Sequence, residues 1–221
     1  MTDATEPEGD GENPAGWPVE LRGVTESVVT TLGPNGLWNA AALGLHAPES
    51  SPEESESAPV TARTYGRTRT WRNFTERGGG VVQFVADPRI FVDAALTIHE
   101  VDDPVLASAD AWVEVRAEEV SERTEGDTTI RTWALTPVES EVRRTRVPTI
   151  DRGFGAVIDA TVAASRLDVP GYETAELLDR LAYFADVVDR CGGPREREAF
   201  ARIDAATGWR ARLDGTDDGT D

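Results

Sequence analysis

The sequence predicts an α+β protein: a β-rich body followed by a helical C-terminal part. Two observations predict it. From Val24 to Val138, short Val- and Thr-rich runs with alternating polarity are punctuated by turn signals, the period of strands. After Arg143, apolar residues recur at the three- and four-residue spacing of helices. The body spans about 125 residues, and the change of period places a boundary near 142/143.

In chain order, Val24 to Leu32 reads as a strand, Gly33-Pro34-Asn35-Gly36 as a turn, and Leu37 to His46 as the returning strand of a hairpin. Val60 to Tyr65 is a further strand. Thr68 to Arg77 has helical spacing, with Thr70, Trp71 and Phe74 on one side, and Gly78-Gly79-Gly80 ends it. Val81 to Ala86 is a short apolar strand. Asp87-Pro88 then opens a helix, Asp as N-cap and Pro at the first helical position. Trp112 to Glu122 and Thr128 to Val138 alternate about a Glu-Gly-Asp turn, a second hairpin. Phe154, Val157, Ile158, Thr161, Val162 and Ser165 mark one helix, and Leu177, Leu178, Leu181, Phe184 and Val188 a second, with Pro170-Gly171 between them. Residues 1–18 and 214–221 are acidic and too poor in apolar surface to fold alone, and Pro48 to Pro59 reads as a surface insertion. The expected divisions are therefore 1–18, 19–142, 143–213 and 214–221.

Composition limits the classes of function. Against 41 Asp and Glu stand 22 basic residues, all Arg and none Lys, for a formal charge of −19 over 221 residues. High salt shrinks the Debye length to about 3 Å at 1 M and screens such a surface from itself. A dense carboxylate shell then keeps the chain hydrated, so a salty cytoplasm is expected. The alternative, an acidic protein bound to a basic partner, leaves the missing Lys unexplained. One cysteine, Cys191, excludes a disulfide framework. No apolar run is long enough for a transmembrane helix, and the acidic N-terminus is the reverse of a signal peptide. The charge also argues against nucleic acid as partner.

The total charge hides a local inversion. Between Val60 and Ile90 lie six Arg (63, 67, 69, 72, 77, 89) and two acids, Glu76 and Asp87. Its centre, Tyr65-Gly66-Arg67-Thr68-Arg69-Thr70-Trp71-Arg72-Asn73, puts hydroxyls and Arg at the opening of a helix. Free backbone N–H groups and the helix dipole favour phosphate there; the competing reading is that these Arg neutralise surface carboxylates. A second basic cluster, Arg143, Arg144, Arg146 and Arg152, reads as an ion-pair patch at the junction of the two parts. Asn39-Ala40-Ala41-Ala42-Leu43-Gly44 is unusual for a strand, because Ala and Gly pack little. Small residues let a flat ligand approach the backbone, and Asn39 offers a donor and an acceptor to a ring edge; close packing of a helix is the alternative. His46 and His99 read as structural, no metal set is apparent, and Gly153-Phe154-Gly155 lacks the third glycine and the surroundings of a dinucleotide loop. Trp38 and Trp71 flank the candidate sites.

These residues resemble the mainly archaeal domain of unknown function 447 family, relatives of flavin reductases. The matching elements are Glu26-Ser27-Val28-Val29-Thr30-Thr31 with Asn39-Ala40-Ala41, Tyr65-Gly66-Arg67-Thr68-Arg69-Thr70 with Asn73, Val81 to Phe91, and Arg152 to Ala160 with Ser165-Arg166-Leu167. The resemblance, to a haloarchaeal member, implies an FMN-binding split β-barrel over 19–142 with a helical C-terminal subdomain. It implies that Asn39, Ala40, Ala41 and Ala42 border the isoalloxazine ring, and that Arg67, Thr68 and Thr70 face the ribityl phosphate with Asn73 supporting that turn. Gln83 stands where relatives often show Asn at a ring-edge contact. It further implies a homodimer with FMN near the interface. The expected function is FMN binding with flavin-dependent oxidoreductase activity on an undetermined small molecule. The alternatives are a non-catalytic module for FMN or another phosphorylated ligand, and an accessory enzyme of pterin cofactor biosynthesis.

Overall fold

The computed structural model describes residues 16–48 and 59–217. The acidic N-terminal stretch and the Pro48–Pro59 insertion fall, but for their edges, outside the described residues.

The first hairpin pairs β1 (Val24–Leu32) with β2 (Trp38–His46) along its whole length, from Val24 against His46 to Leu32 against Trp38. Then come β3 (Val60–Tyr65), α1 (Arg69–Arg77), β4 (Gly79–Val85) and α2 (Pro88–Leu96). A three-residue strand, β5 (His99–Val101), precedes the long hairpin of β6 (Ala109–Glu125) and β7 (Thr128–Val142). All pairings are antiparallel, in the order β1-β4-β6-β7-β3-β2, and the β1–β2 ladder closes the ring into a six-stranded barrel. β5 is appended to β2 outside that ring. Closure leaves few strand edges free.

Alternation sorts β2 into two faces. Ala41, Leu43 and Leu45 turn into the barrel, where they meet Val29, Val82, Val113, Trp133 and Leu135. Phe74 of α1 joins this core, its ring edge-on to Trp133 at 5.3 Å. Ala40 and Ala42 turn outward with Val28 and pack against Phe91 and Ala94 of α2. The other side of α2 supplies Val92 to a helical core that includes Val157, Leu178, Leu181, Phe200 and Ile203. So α2 is the seam by which the helical part lies against the β1–β2 wall. Each fully buried Leu there contributes about 2–3 kcal/mol of transfer free energy.

Local chemistry explains the helix limits. Thr68 caps α1 by accepting from the Trp71 N–H, and Gly78 ends it at φ 73. Asp87 caps α2, with Pro88 in its first turn. α3 (Arg152–Ala164) and α4 (Thr174–Cys191) coincide with the two helical patterns. Gly153 opens α3 for a packing reason, since a Cβ there would lie 2.6 Å from the Gly192 Cα at the end of α4.

The structure departs from the sequence reading in four places. β4 begins at Gly79, because Gly79 and Gly80 pass so close to β6 and β1 that a side chain would strike the Val115 and Thr30 carbonyls. The β6–β7 hairpin is longer than the alternation suggested and carries two irregularities. β5 is too short to leave a periodic signal. Two further helices, α5 (Pro194–Thr207) and α6 (Trp209–Asp217), follow α4, and α6 runs into the segment read as a tail.

Candidate functional site: a cleft where β2 and β3 part

β2 and β3 share only two paired positions, Leu45 with Ala62 and His46 with Thr61. At its other end β2 pairs with β5 at Trp38, Asn39 and Ala40. Between these ladders, among the described residues, the outer edge of Ala41–Gly44 pairs with no strand. The small side chains noted in the sequence therefore line the split in the barrel, where backbone is left for a ligand to meet.

This split opens into a cavity of about 1100 Å³. Its floor is Asn39–Gly44 with His46, and one wall is β3 and the turn into α1, from Arg63 through Arg67, Thr68, Arg69 and Thr70. Phe91, Ala94 and Ile98 at the end of α2 form another side. The C-terminal end of α3 and the loop beyond it complete the cavity with Thr161, Arg166 and Tyr172.

Gly66, at φ 65, turns the chain from β3 into α1, its N–H donating to the Thr129 carbonyl at 2.7 Å. The first N–H groups of α1 have no intrahelical acceptor, and Thr68 Oγ1 serves Trp71 alone, at 3.1 Å. Arg67 makes no ion pair or hydrogen bond among the described residues, whereas Arg69 is held by Glu100 at 2.5 Å. Asn39 and Thr70 are 6 % and 5 % exposed, face this cavity, and their side chains have no hydrogen-bond partner. Their polar atoms open onto the cavity, where both can donate to and accept from a ligand. Arg63 adds a buried Nε without a partner on the β3 wall.

Of the residues singled out in the sequence, Asn39, Ala40, Ala41, Ala42, Arg67, Thr68 and Thr70 meet at this cavity. Asn73 and Gln83 do not line it. Asn73 is fully buried beneath the turn, its amide donating to Thr31 Oγ1 at 2.9 Å. Gln83 turns away from the cavity, donating to Thr30 Oγ1 and the Pro104 carbonyl, each at 3.0 Å, and accepting from the Leu106 N–H at 2.7 Å. Neither Trp38 nor Trp71 faces the cavity; Trp71 lies under the Arg131 guanidinium at 4.8 Å. His46, read as structural, is on the cavity wall, where burial and nearby Arg63 push its pKa down. Arg146 of the second basic cluster grips Asp110 with two hydrogen bonds, and Arg144 reaches the Ala107 and Ala109 carbonyls.

The sequence missed Glu26, Arg63, Arg166 and Tyr172 as cavity residues. Arg63 had a signal, its place in the basic window. The others are brought in by register and helix packing. Among the described residues no group of three or more His, Cys, Asp and Glu side chains could hold a metal ion, and no helix is long and apolar enough to cross a membrane.

A closed six-stranded antiparallel barrel with a split beside the opening of α1, backed by a helical layer, defines a split-barrel protein of mixed α+β class. Profiles of two parts of one family match the chain: the Protein of unknown function (DUF447) N-terminal domain over residues 25–144, and Protein of unknown function (DUF447) over residues 151–205. The chain belongs to the DUF447 family. Among solved structures it is similar to the FMN-bound protein MM1853 from Methanosarcina mazei, at 24% identity and a TM-score of 0.69, over 84% of this chain and 96% of that one. Weaker likenesses include flavoredoxin from Methanosarcina acetivorans, at 11% identity over 60% of this chain and 79% of that one, TM-score 0.38. The styrene monooxygenase flavin reductase from Pseudomonas putida S12 stands at 14% identity over 57% and 93%, TM-score 0.35.

Proposed function

We propose that this chain binds FMN in the β2–β3 cleft and serves as a flavin-dependent oxidoreductase. The observation that carries the reading is the set of side chains, Asn39, Thr70 and Arg67, that face the cavity beside the open first turn of α1 and make no side-chain hydrogen bond among the described residues. Such a turn suits a phosphate dianion. The FMN bound by the Methanosarcina mazei relative supports flavin as the ligand.

Arg67, Thr68 and Thr70 hold the phosphate, Arg67 by charge and Thr68 by the hydroxyl proton left free when its oxygen caps α1. The flat edge of Asn39–Ala42 accommodates the ring. Asn73 and Gln83 act from behind, Asn73 by fixing α1 to β1 and Gln83 by bracing β4 against the segment around Pro104. When bound, FMN supplies hydride and electron transfer; the protein supplies orientation and electrostatics. No side chain in the cavity is set against another as nucleophile and base, so the chemistry rests with the flavin.

The mouth of the cavity is rimmed by exposed apolar side chains: Val24, Tyr65, Ile98 and Tyr172. We read this rim as the contact between two copies of the chain, which encloses the flavin.

The test is FMN titration of the full chain in molar salt, followed by flavin absorbance and fluorescence. Wild type is expected to take up one FMN per chain, and the double variant Arg67→Ala with Thr68→Ala to lose it while keeping its circular dichroism. A wild-type chain that leaves FMN unquenched ends the reading. Uptake without turnover across a panel of electron donors would favour a non-catalytic flavin module.

A further inference from the structure

The cleft has a second polar end that the phosphate turn does not use. Glu26 of β1 pairs with Gly44 of β2. The β2–β3 register, Leu45 with Ala62, would next set Gly44 against Arg63, but the strands part there. Glu26, Gly44 and Arg63 therefore stand in one row across the split, on the outward face. Both charged residues line the cavity, and they form no ion pair with each other or with any described residue. The Arg63 Nε is buried without a partner. Gly44 keeps side-chain bulk out of this row: a Cβ there would press on Val24 Cγ1 at 3.1 Å and lie 3.8 and 3.9 Å from the two Glu26 carboxylate oxygens. An acceptor and a donor thus line the cavity on either side of Gly44. Four residues of strand separate Gly44 from Ala40, about 14 Å at about 3.4 Å per residue, and Ala40 is paired to β5 at the other end of the cleft. Burial pushes the Glu26 carboxyl up, as expected for an acid kept from water without a cation in contact.

We propose that Glu26, Gly44 and Arg63 form a notch that reads the polar edge of the flavin ring, Glu26 accepting the ring N–H and Arg63 donating to the carbonyl beside it. That edge presents an N–H between two carbonyls, so a carboxylate next to a guanidinium matches two of its three groups. The proposal rests on the FMN reading and adds to it the orientation of the cofactor: phosphate at α1, ring edge at the far end of β2. Arg63 and Glu26 are positioning residues for the ring.

Two ligands separate ring recognition from phosphate recognition. FMN and riboflavin share the ring and differ in the phosphate. Fluorescence titrations of both use the full chain as wild type, Glu26→Gln, Arg63→Met and Arg67→Met. Glu26→Gln and Arg63→Met are expected to weaken FMN and riboflavin by the same factor, about tenfold, the size of a lost charged hydrogen bond. Arg67→Met is expected to weaken FMN alone. A third ligand, 3-methylriboflavin, removes the ring N–H: it is expected to bind wild type about tenfold more weakly than riboflavin does, with the difference shrinking in Glu26→Gln, whose neutral amide oxygen accepts more weakly. The wild-type arm does not depend on any variant folding. Gly44→Ala, which must displace Val24 Cγ1 by a few tenths of an ångström, should narrow the notch and weaken both flavins. Unchanged riboflavin affinity in Glu26→Gln and Arg63→Met, or indifference of wild type to methylation, overturns the proposal while leaving FMN binding intact. Wild type that binds no flavin overturns the FMN reading as well.

Discussion

Arg69 Nη1 meets Glu100 Oε1 at 2.5 Å, tying the first turn of α1 to β5, the short strand that pairs with Asn39 and Ala40. The pair holds the opening of α1 against the floor of the cleft. It also withdraws one guanidinium from the proposed phosphate site, leaving Arg67 without an ion pair there among the described residues. Replacing Glu100 by Gln should release Arg69 toward the phosphate. Both partners are part-exposed, so the loss of stability should stay below about 1 kcal/mol. FMN affinity should rise by about two- to fivefold at low ionic strength, with the gain fading as salt is added. Urea unfolding and FMN titration of Glu100→Gln check both halves.

Gln83 behaves as a brace rather than a ligand contact. Its amide satisfies Thr30, Pro104 and Leu106 in a fully buried position. Gln83→Leu keeps the volume and strands those groups, so it should cost about 2–4 kcal/mol in chemical denaturation. FMN affinity at a temperature where the variant stays folded should change less than twofold.

Asp87 gives the acid limb of stability a definite sign. It caps α2 through the Arg89 N–H at 3.1 Å, and the Arg89 guanidinium closes on its carboxylate at 2.6 and 2.9 Å. The hydrogen bond from Arg89 holds its pKa below 3.8, with burial opposing. A depressed carboxyl contributes stability that is present above its unfolded pKa and is lost as pH falls through the folded one. Asp87→Asn keeps the cap but loses the charge held by Arg89, so it should be less stable than wild type by about 1 kcal/mol or less near neutrality. The difference should shrink below about pH 4. Thermal unfolding across that range is the measurement.

The formal charge of −19 predicts a chain stabilised by salt. Raising NaCl from about 0.1 M to about 1 M cuts the Debye length from about 10 Å to about 3 Å. The melting temperature should climb through that range, and potassium chloride should act as sodium chloride does. A flat response would remove the argument for a salty cytoplasm.

Ile98 stands 71 % exposed on the rim of the cleft, next to the cap of α2. If two copies meet over this rim, Ile98→Asp should convert a dimer into a monomer in sedimentation velocity, with the circular dichroism unchanged. A wild-type monomer at tens of micromolar would count against the assembly.

Local signals were legible because local chemistry determines them. The Asp87-Pro88 start of α2, the Thr68 and Gly78 ends of α1, and the Gly33–Gly36 turn each depend on a few neighbouring residues. The small-residue stretch Asn39–Gly44 and the Arg-rich turn could be recognised as unusual before their neighbours were known. Asn73, expected to support the turn, is buried beneath it on Thr31 Oγ1. The place of Gln83 could not be read: its side chain has the chemistry of a ring-edge contact, and only the fold shows it turned to Thr30 and Pro104. β5 and α5 escaped because three residues carry no period and a charged helix with few apolar positions carries a weak one.

By itself the sequence determined the strand-then-helix order, the acidic surface, and the basic island at the opening of α1, because composition, turn chemistry and periodicity act over short stretches of chain. Tertiary structure alone decided that β2 and β3 part after two paired residues, and that Tyr172 and Arg166 from the helical part complete the cavity. It also decided that Glu26 and Arg63, 37 positions apart, share one row without touching. Register across a closed barrel is a property of the whole ring: each ladder constrains the next, and no single strand records where the split will fall.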